Sequence, residues 1–167
     1  MFGAADSTIV ERRAAFKRYA AHPLFVMAAF DTWLRTYDHS HGRFAVALDS
    51  GEVIEGGTLA IVSKTSPYTY LGARPLVVAP AAGLDSPLSV TVVQARRAPS
   101  MLTLAAAAML SPDMLHRHPN VEHRDGVTAL TITGAEPFPY QVDGDYLGEV
   151  DRLEFGYEPG VLTLVVP

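Results

Sequence analysis

The sequence predicts a mainly β (α+β) domain: an antiparallel, sandwich-like set of sheets with two to three helices packed at its edge. Three observations lead there. Apolar residues switch to a period of two from Arg43 onward, where Phe44, Val46 and Leu48 alternate with Ala45, Ala47 and Asp49. Short β-branched runs then recur, among them Thr58 to Ser63, Pro75 to Val78 and Leu88 to Gln94. Asp49-Ser50-Gly51, Asp125-Gly126 and Asp143-Gly144 supply the turns between such runs. With 167 residues and 49% hydrophobic content, the chain can bury a core and reads as one domain over residues 1–167.

In chain order, Asp6 or Ser7 can cap a first helix over Thr8 to Ala20, with Ile9, Ala14 and Phe16 available for packing and Arg12, Arg13, Lys17 and Arg18 facing outward. That basic face is either simply solvated or drawn to anionic headgroups. His22-Pro23 ends the helix, and a second one runs to about Leu34. Its Leu24, Phe25, Met27, Phe30 and Trp33 cover more than one stripe, which predicts burial. After the first strands, Glu55-Gly56-Gly57-Thr58 reads as a hairpin turn. Lys64, beside the Pro67 to Tyr70 loop, is a solvated lysine or a phosphate contact. Pro99 to Leu110 is an alanine-rich third helix ended by Ser111-Pro112-Asp113. Asp125-Gly126 turns the chain into Val127 to Thr133, and strands at Tyr140 to Val142, Arg152 to Phe155 and Val161 to Val166 complete the set.

Composition excludes several functions. A net charge of −5 and a pI near 5.6 argue against a nucleic-acid partner, which would call for a basic excess. The absence of cysteine removes disulfides and thiolate-bound zinc. The first residues lack a secretory pattern, and the longest apolar run, Met101 to Leu110, is far short of the roughly 20 residues that span a bilayer. A cytoplasmic protein is expected. Three of the six histidines fall in His116 to His123, where Pro119 favours a loop and no acid or cysteine completes a familiar metal spacing. His39 and His41 form a similar weak pair.

The richest stretch for chemistry is Phe138 to Glu149, in which Asp143 and Asp145 flank Gly144. Read locally, this is a hairpin turn. Yet Gln141-Val142-Asp143-Gly144-Asp145, followed by Tyr146-Leu147-Gly148-Glu149, resembles the C-terminal signature of bacterial diacylglycerol kinase-like lipid kinases of the NAD kinase/diacylglycerol kinase superfamily, whose usual form is Asp-Gly-Glu. Ser66-Pro67-Tyr68-Thr69-Tyr70-Leu71-Gly72, Val78-Ala79-Pro80 to Leu88, and His118-Pro119-Asn120-Val121 resemble further family segments in the same order.

This resemblance implies the β-rich C-terminal domain of an ATP- and Mg²⁺-dependent kinase, without the N-terminal nucleotide-binding domain and its Gly-Gly-Asp-Gly-Thr motif. It implies Asp145 as the base that accepts the proton of a lipid hydroxyl, one C–C bond shorter than the usual glutamate, with Asp143 shaping the turn or holding a metal-bound water. Tyr146 and Glu149 are expected to pair across the hairpin. The family's magnesium loop falls at Ala81 to Leu88, but Ser86 and Pro87 replace its aspartate and glycine, so the stretch reads as a plain loop more readily than as a metal site with Asp85 and the carbonyl of Leu88 as weak ligands. Expected partners are a membrane lipid alcohol such as diacylglycerol, a nucleotide-binding half in trans and a second copy of the chain, at the inner membrane surface. The rival reading is a stand-alone, non-catalytic lipid- or partner-binding module.

Overall fold

The computed structural model describes residues 42–160 apart from 72, 96 and 144. The two N-terminal helices, the His39 and His41 pair, and the strand expected over Val161 to Val166 lie outside these residues. Nine strands and two helices are present among those described: β1 (Phe44–Leu48), β2 (Val53–Gly57), β3 (Leu59–Ser63), β4 (Thr69–Leu71), β5 (Arg74–Leu76), β6 (Leu88–Val93), α1 (Ala98–Leu110), α2 (Pro112–His116), β7 (Val121–Val127), β8 (Ala129–Val142) and β9 (Asp145–Gly156). They form a four-stranded sheet in the order β2-β1-β8-β9, a three-stranded sheet β3-β6-β7 and a small β4-β5 pair. All the pairings are antiparallel. The expected fold class is the one observed.

Strand β6 sits at the centre. Every one of its six residues is buried, because both faces are covered. Leu88, Val90 and Val92 point toward the four-stranded sheet and pack with Val46, Leu48, Ile54, Leu130, Ile132 and Phe138. Val93, on the opposite face, joins Val78, Leu104, Leu115 and Val121 beneath the two helices. The period of two along a strand produces this division, and it explains why β6 is a continuous β-branched run rather than an apolar–polar alternation. Phe44 and Phe138 extend the inter-sheet core with ring centroids 5.6 Å apart and planes tilted by 45°.

Polar contacts close the corners. The Asp49 carboxylate accepts from the backbone N–H groups of Thr128 (3.0 Å) and Ala129 (3.3 Å), and also from the Thr128 hydroxyl. These bonds, led by the hydroxyl, hold its pKa below the usual carboxylate value and fasten the β1–β2 turn to the β7–β8 corner. Arg124 grips Glu52 through Nε (3.1 Å) and an Nη (2.7 Å), and that same Nη lies 3.1 Å from Glu122.

Three expectations need correction. Glu55-Gly56-Gly57-Thr58 is not a hairpin turn: Gly56 and Gly57 belong to β2, Gly57 pairs with Phe44, and Thr58 carries the chain across to the other sheet by donating from N–H to Val93 O at 2.8 Å. A Cβ on Gly57 would come within 2.3 Å of the Phe44 ring, so the glycine is there for close approach. Asp125-Gly126 is not a turn between strands, because β7 runs through it to Val127, with the ladder to β6 irregular there and Gly126 at φ 73°. Ser111-Pro112-Asp113 ends one helix and also starts α2, with the Ser111 hydroxyl accepting from Met114 N–H at 3.1 Å and Pro112 in the first turn.

The hairpin reading of Asp143-Gly144 is correct. Val142 pairs with Asp145, leaving a two-residue connection in which Asp143 has φ 50°. A positive φ at the first loop position is what a tight hairpin with native strand twist needs, and aspartate tolerates it better than most residues. Tyr146 faces Gln141 and Glu149 faces Pro139 across the ladder, as expected.

Two stability changes follow. Ile132→Ala, deep in the inter-sheet core, is expected to lower unfolding free energy by about 2–5 kcal/mol, seen as a lower urea midpoint at unchanged slope. Asp143→Val forces a β-branched residue into the left-handed region and should cost about 1–2 kcal/mol, whereas Asp143→Gly should leave the midpoint nearly unchanged.

Candidate functional site

Beyond Ala135, whose N–H donates to the Arg43 carbonyl at 3.4 Å, β8 pairs with β9 alone among the described residues, so the two strands continue as a ribbon. Opposite Arg152 and Val150, β8 accommodates extra residues between Thr133 and Phe138, a bulge that places Pro137 where the ladder is interrupted. Phe138, buried to 5% exposure, anchors the ribbon to the core. At the far end Asp143 and Asp145 are both exposed, and no described residue hydrogen-bonds either carboxylate. Val142, Tyr146 and Leu147 beside them are exposed as well. The tip therefore joins two solvated acids to an apolar rim.

The loop from Val77 to Pro87 is tied down by its own side chains. Ser86 Oγ accepts from Gly83 N–H at 2.8 Å and lies 3.0 Å from Gly83 O, while the Lys64 ammonium donates to the Ser86 carbonyl. The same ammonium lies 4.2 Å from the centroid of the Tyr157 ring, and the Tyr157 hydroxyl approaches the Asp85 carbonyl at 3.4 Å. Lys64 is thus engaged within the fold. Leu88 is in the β6 ladder opposite Val127, with its side chain in the core. Among the described residues no three histidine or acidic groups are placed to hold a metal ion.

A polar cluster lies on the helix-facing side of β6 and β7. Ser89 Oγ donates to Asp125 Oδ1 at 2.5 Å, and Thr91 Oγ1 lies 2.8 Å from His123 Nδ1. His123 Nε2 lies 3.1 Å from Asp125 Oδ2, close enough for the carboxylate to favour a proton on the ring, but among the described residues this buried nitrogen has no well-formed hydrogen bond. A neutral His123 with its proton on Nε2 avoids aiming a lone pair at the Asp125 carboxylate, so Thr91 is the donor to Nδ1. Burial pushes the His123 pKa below the ordinary 6.5, His116 adds to that, and Asp125 opposes it. His116 stacks on His123 at a centroid distance of 3.7 Å, with planes 13° apart. His118 instead follows the end of α2, with Nε2 2.9 Å from Thr103 Oγ1.

The sequence contains no local signal for this cluster. Ser89 and Asp125 are 36 positions apart and meet only through the β6–β7 register. One cue was present: Ser89 and Thr91 interrupt an otherwise aliphatic strand, and hydroxyls buried on a central strand need partners.

A further concavity of about 500 Å³ is lined by Glu55, Gln94, Arg97, Ser100 and Asn120 at the start of α1. Gln94 spends its amide there on the Glu55 carbonyl at 2.7 Å.

No protein-family model matches the chain, and no curated protein matches it. Among solved structures, it is similar to an inferred diacylglycerol kinase from Bacillus anthracis strain Sterne, with a TM-score of 0.46 and 16% identity over 97% of this chain and 52% of that one. A second structure, also of an inferred diacylglycerol kinase from that strain, superimposes with a TM-score of 0.44 and 16% identity over 95% of this chain and 51% of that one. The chain spans about half the length of each of these structures.

Proposed function

We propose that this chain is the C-terminal half of an ATP-dependent lipid kinase that phosphorylates a membrane lipid alcohol, working together with a nucleotide-binding half. The observation that carries this reading is the exposed Asp145 carboxylate at the head of β9, without a partner among the described residues and set beside a two-residue Asp-Gly turn within the motif that resembles the kinase signature. Mg²⁺ and ATP, held mostly by the nucleotide-binding half, would supply the phosphoryl group and offset its charge. Asp145 would accept the proton of the lipid hydroxyl as that oxygen bonds to the γ-phosphorus and the γ-phosphorus–bridging oxygen bond breaks, with ADP as the leaving group. The exposed Val142, Tyr146 and Leu147 offer an apolar rim on which acyl chains can rest while the hydroxyl reaches the carboxylate. Asp143 has the other task, since its positive φ makes the turn that aims Asp145.

The same apolar rim favours one alternative, a non-catalytic module that binds lipid or a partner protein through the ribbon tip.

Transfer of labelled γ-phosphate from ATP to a diacylglycerol-containing lipid extract separates the two. Incorporation is expected when a nucleotide-binding half from a related kinase is added, and Asp145→Asn should lower it by about 10²-fold or more, the usual contribution of a general base. Asp143→Gly should retain most of it. Vesicle binding without transfer in the mixture, even with a partner shown to associate, would move the binding module ahead.

A further inference from the structure

His116 closes α2 and His123 lies in the middle of β7, so their stacked rings join two elements that share only a small interface. His116 also reaches the other way: its Nε2 lies 2.7 Å from the Val78 carbonyl and donates to it, tying α2 to the segment after β5. One imidazole pair therefore fixes three pieces of chain over the second core. Neutral rings tolerate face-to-face contact at 3.7 Å. Two imidazolium ions at that separation, with little water between them, repel strongly.

We propose that the His116–His123 stack is a proton-operated latch, holding α2 and the Val78 segment against β7 while both rings are neutral and releasing them when both are charged. The surrounding groups determine how it responds. From β7, Asp125 faces His123 and favours a proton, while Arg124 opposes one. From β6, only the uncharged Ser89 and Thr91 meet the cluster. From α2, His116 is the facing group, with Asp113 one turn earlier and Arg117 next in sequence; the Val78 segment contributes a carbonyl. Asp125 can balance one added proton but not two. Charging His123 also puts a hydrogen on Nδ1, so Thr91, at 2% exposure, must turn from donor to acceptor with no solvent to receive its own proton.

The sign follows from linkage. In the unfolded or opened chain His123 has its ordinary pKa of 6.5, and in the closed state burial and then His116 depress it. Closure is therefore fully favoured above 6.5 and weakens as pH falls through the lower, closed-state value. Release would expose Leu115 and Val121, apolar groups now buried beneath α2.

Hydrogen exchange along the full chain, corrected for the intrinsic effect of pH on exchange, tests this. Between about pH 7.5 and pH 5, protection of α2 and of the Val78 segment should fall by about tenfold or more, while β8 keeps its protection. In His116→Gln, whose amide can still donate to Val78, that pH response should disappear. Unchanged α2 protection on acidification, or a full response in His116→Gln, would overturn the latch. Should the variant fail to fold, the ring C–H resonances of the unaltered protein decide. Coupled titration of His116 and His123 supports the latch, and two independent single-step curves refute it.

Discussion

Burial of β6 on both faces is the constraint on which the rest of the structure depends. A central strand must find hydrogen-bonded neighbours on both edges, and β3 and β7 provide them. It must also be covered above and below. The four-stranded sheet covers the Leu88, Val90 and Val92 side, and α1 with α2 covers the other. Since side chains alternate, a one-residue slip of β6 would place Ser89 and Thr91 between the two sheets, far from the acid and imidazole that satisfy them. Register and polar cluster thus specify each other: the hydroxyls are tolerable only where Asp125 and His123 face them, and those residues face them only in this register.

What could be read from the sequence was whatever local chemistry decides. The alternation in β1, the β-branched run of β6, the alanine-rich α1 and the two-residue Asp143-Gly144 turn all depend on neighbours a few positions away. Tertiary contacts decided the failures. Gly56 and Gly57 look like a turn, yet Phe44 needs the space that a glycine leaves, and the backbone of Thr58 finds Val93 on the other sheet. Asp125-Gly126 also resembles a turn, yet the Asp125 carboxylate is held by Ser89 and the strand continues. At Ser111-Pro112 the cue is local but works in two directions: a residue that stops one helix is also a good cap for the next.

The candidate site divides in the same way. The acids of the ribbon were visible because both lie within one turn motif. The histidines were visible as a concentration but not as a stack, because His116 and His123 meet only once α2 folds back over β7. In the stack the two rings lie in nearly parallel planes, so their nitrogen lone pairs do not converge on a common point.

The turn and the chemistry of the ribbon need not be rivals for the same residues. Asp143 takes the positive φ and with it the structural duty, so its replacement by glycine changes a charge but not the path of the chain. Asp145 begins β9, with its backbone in the ladder opposite Val142 and its carboxylate in solvent. That division lets the side chain at this position vary without disturbing the hairpin. An aspartate where the related motif has glutamate loses about 1.5 Å of reach, the length of one C–C bond. Under the proposed function, a lipid hydroxyl would have to sit closer to the ribbon backbone, beside the exposed side chains of Val142, Tyr146 and Leu147. How closely a hydroxyl can approach the backbone beside those three side chains is then the quantity that has to compensate for the shorter acid.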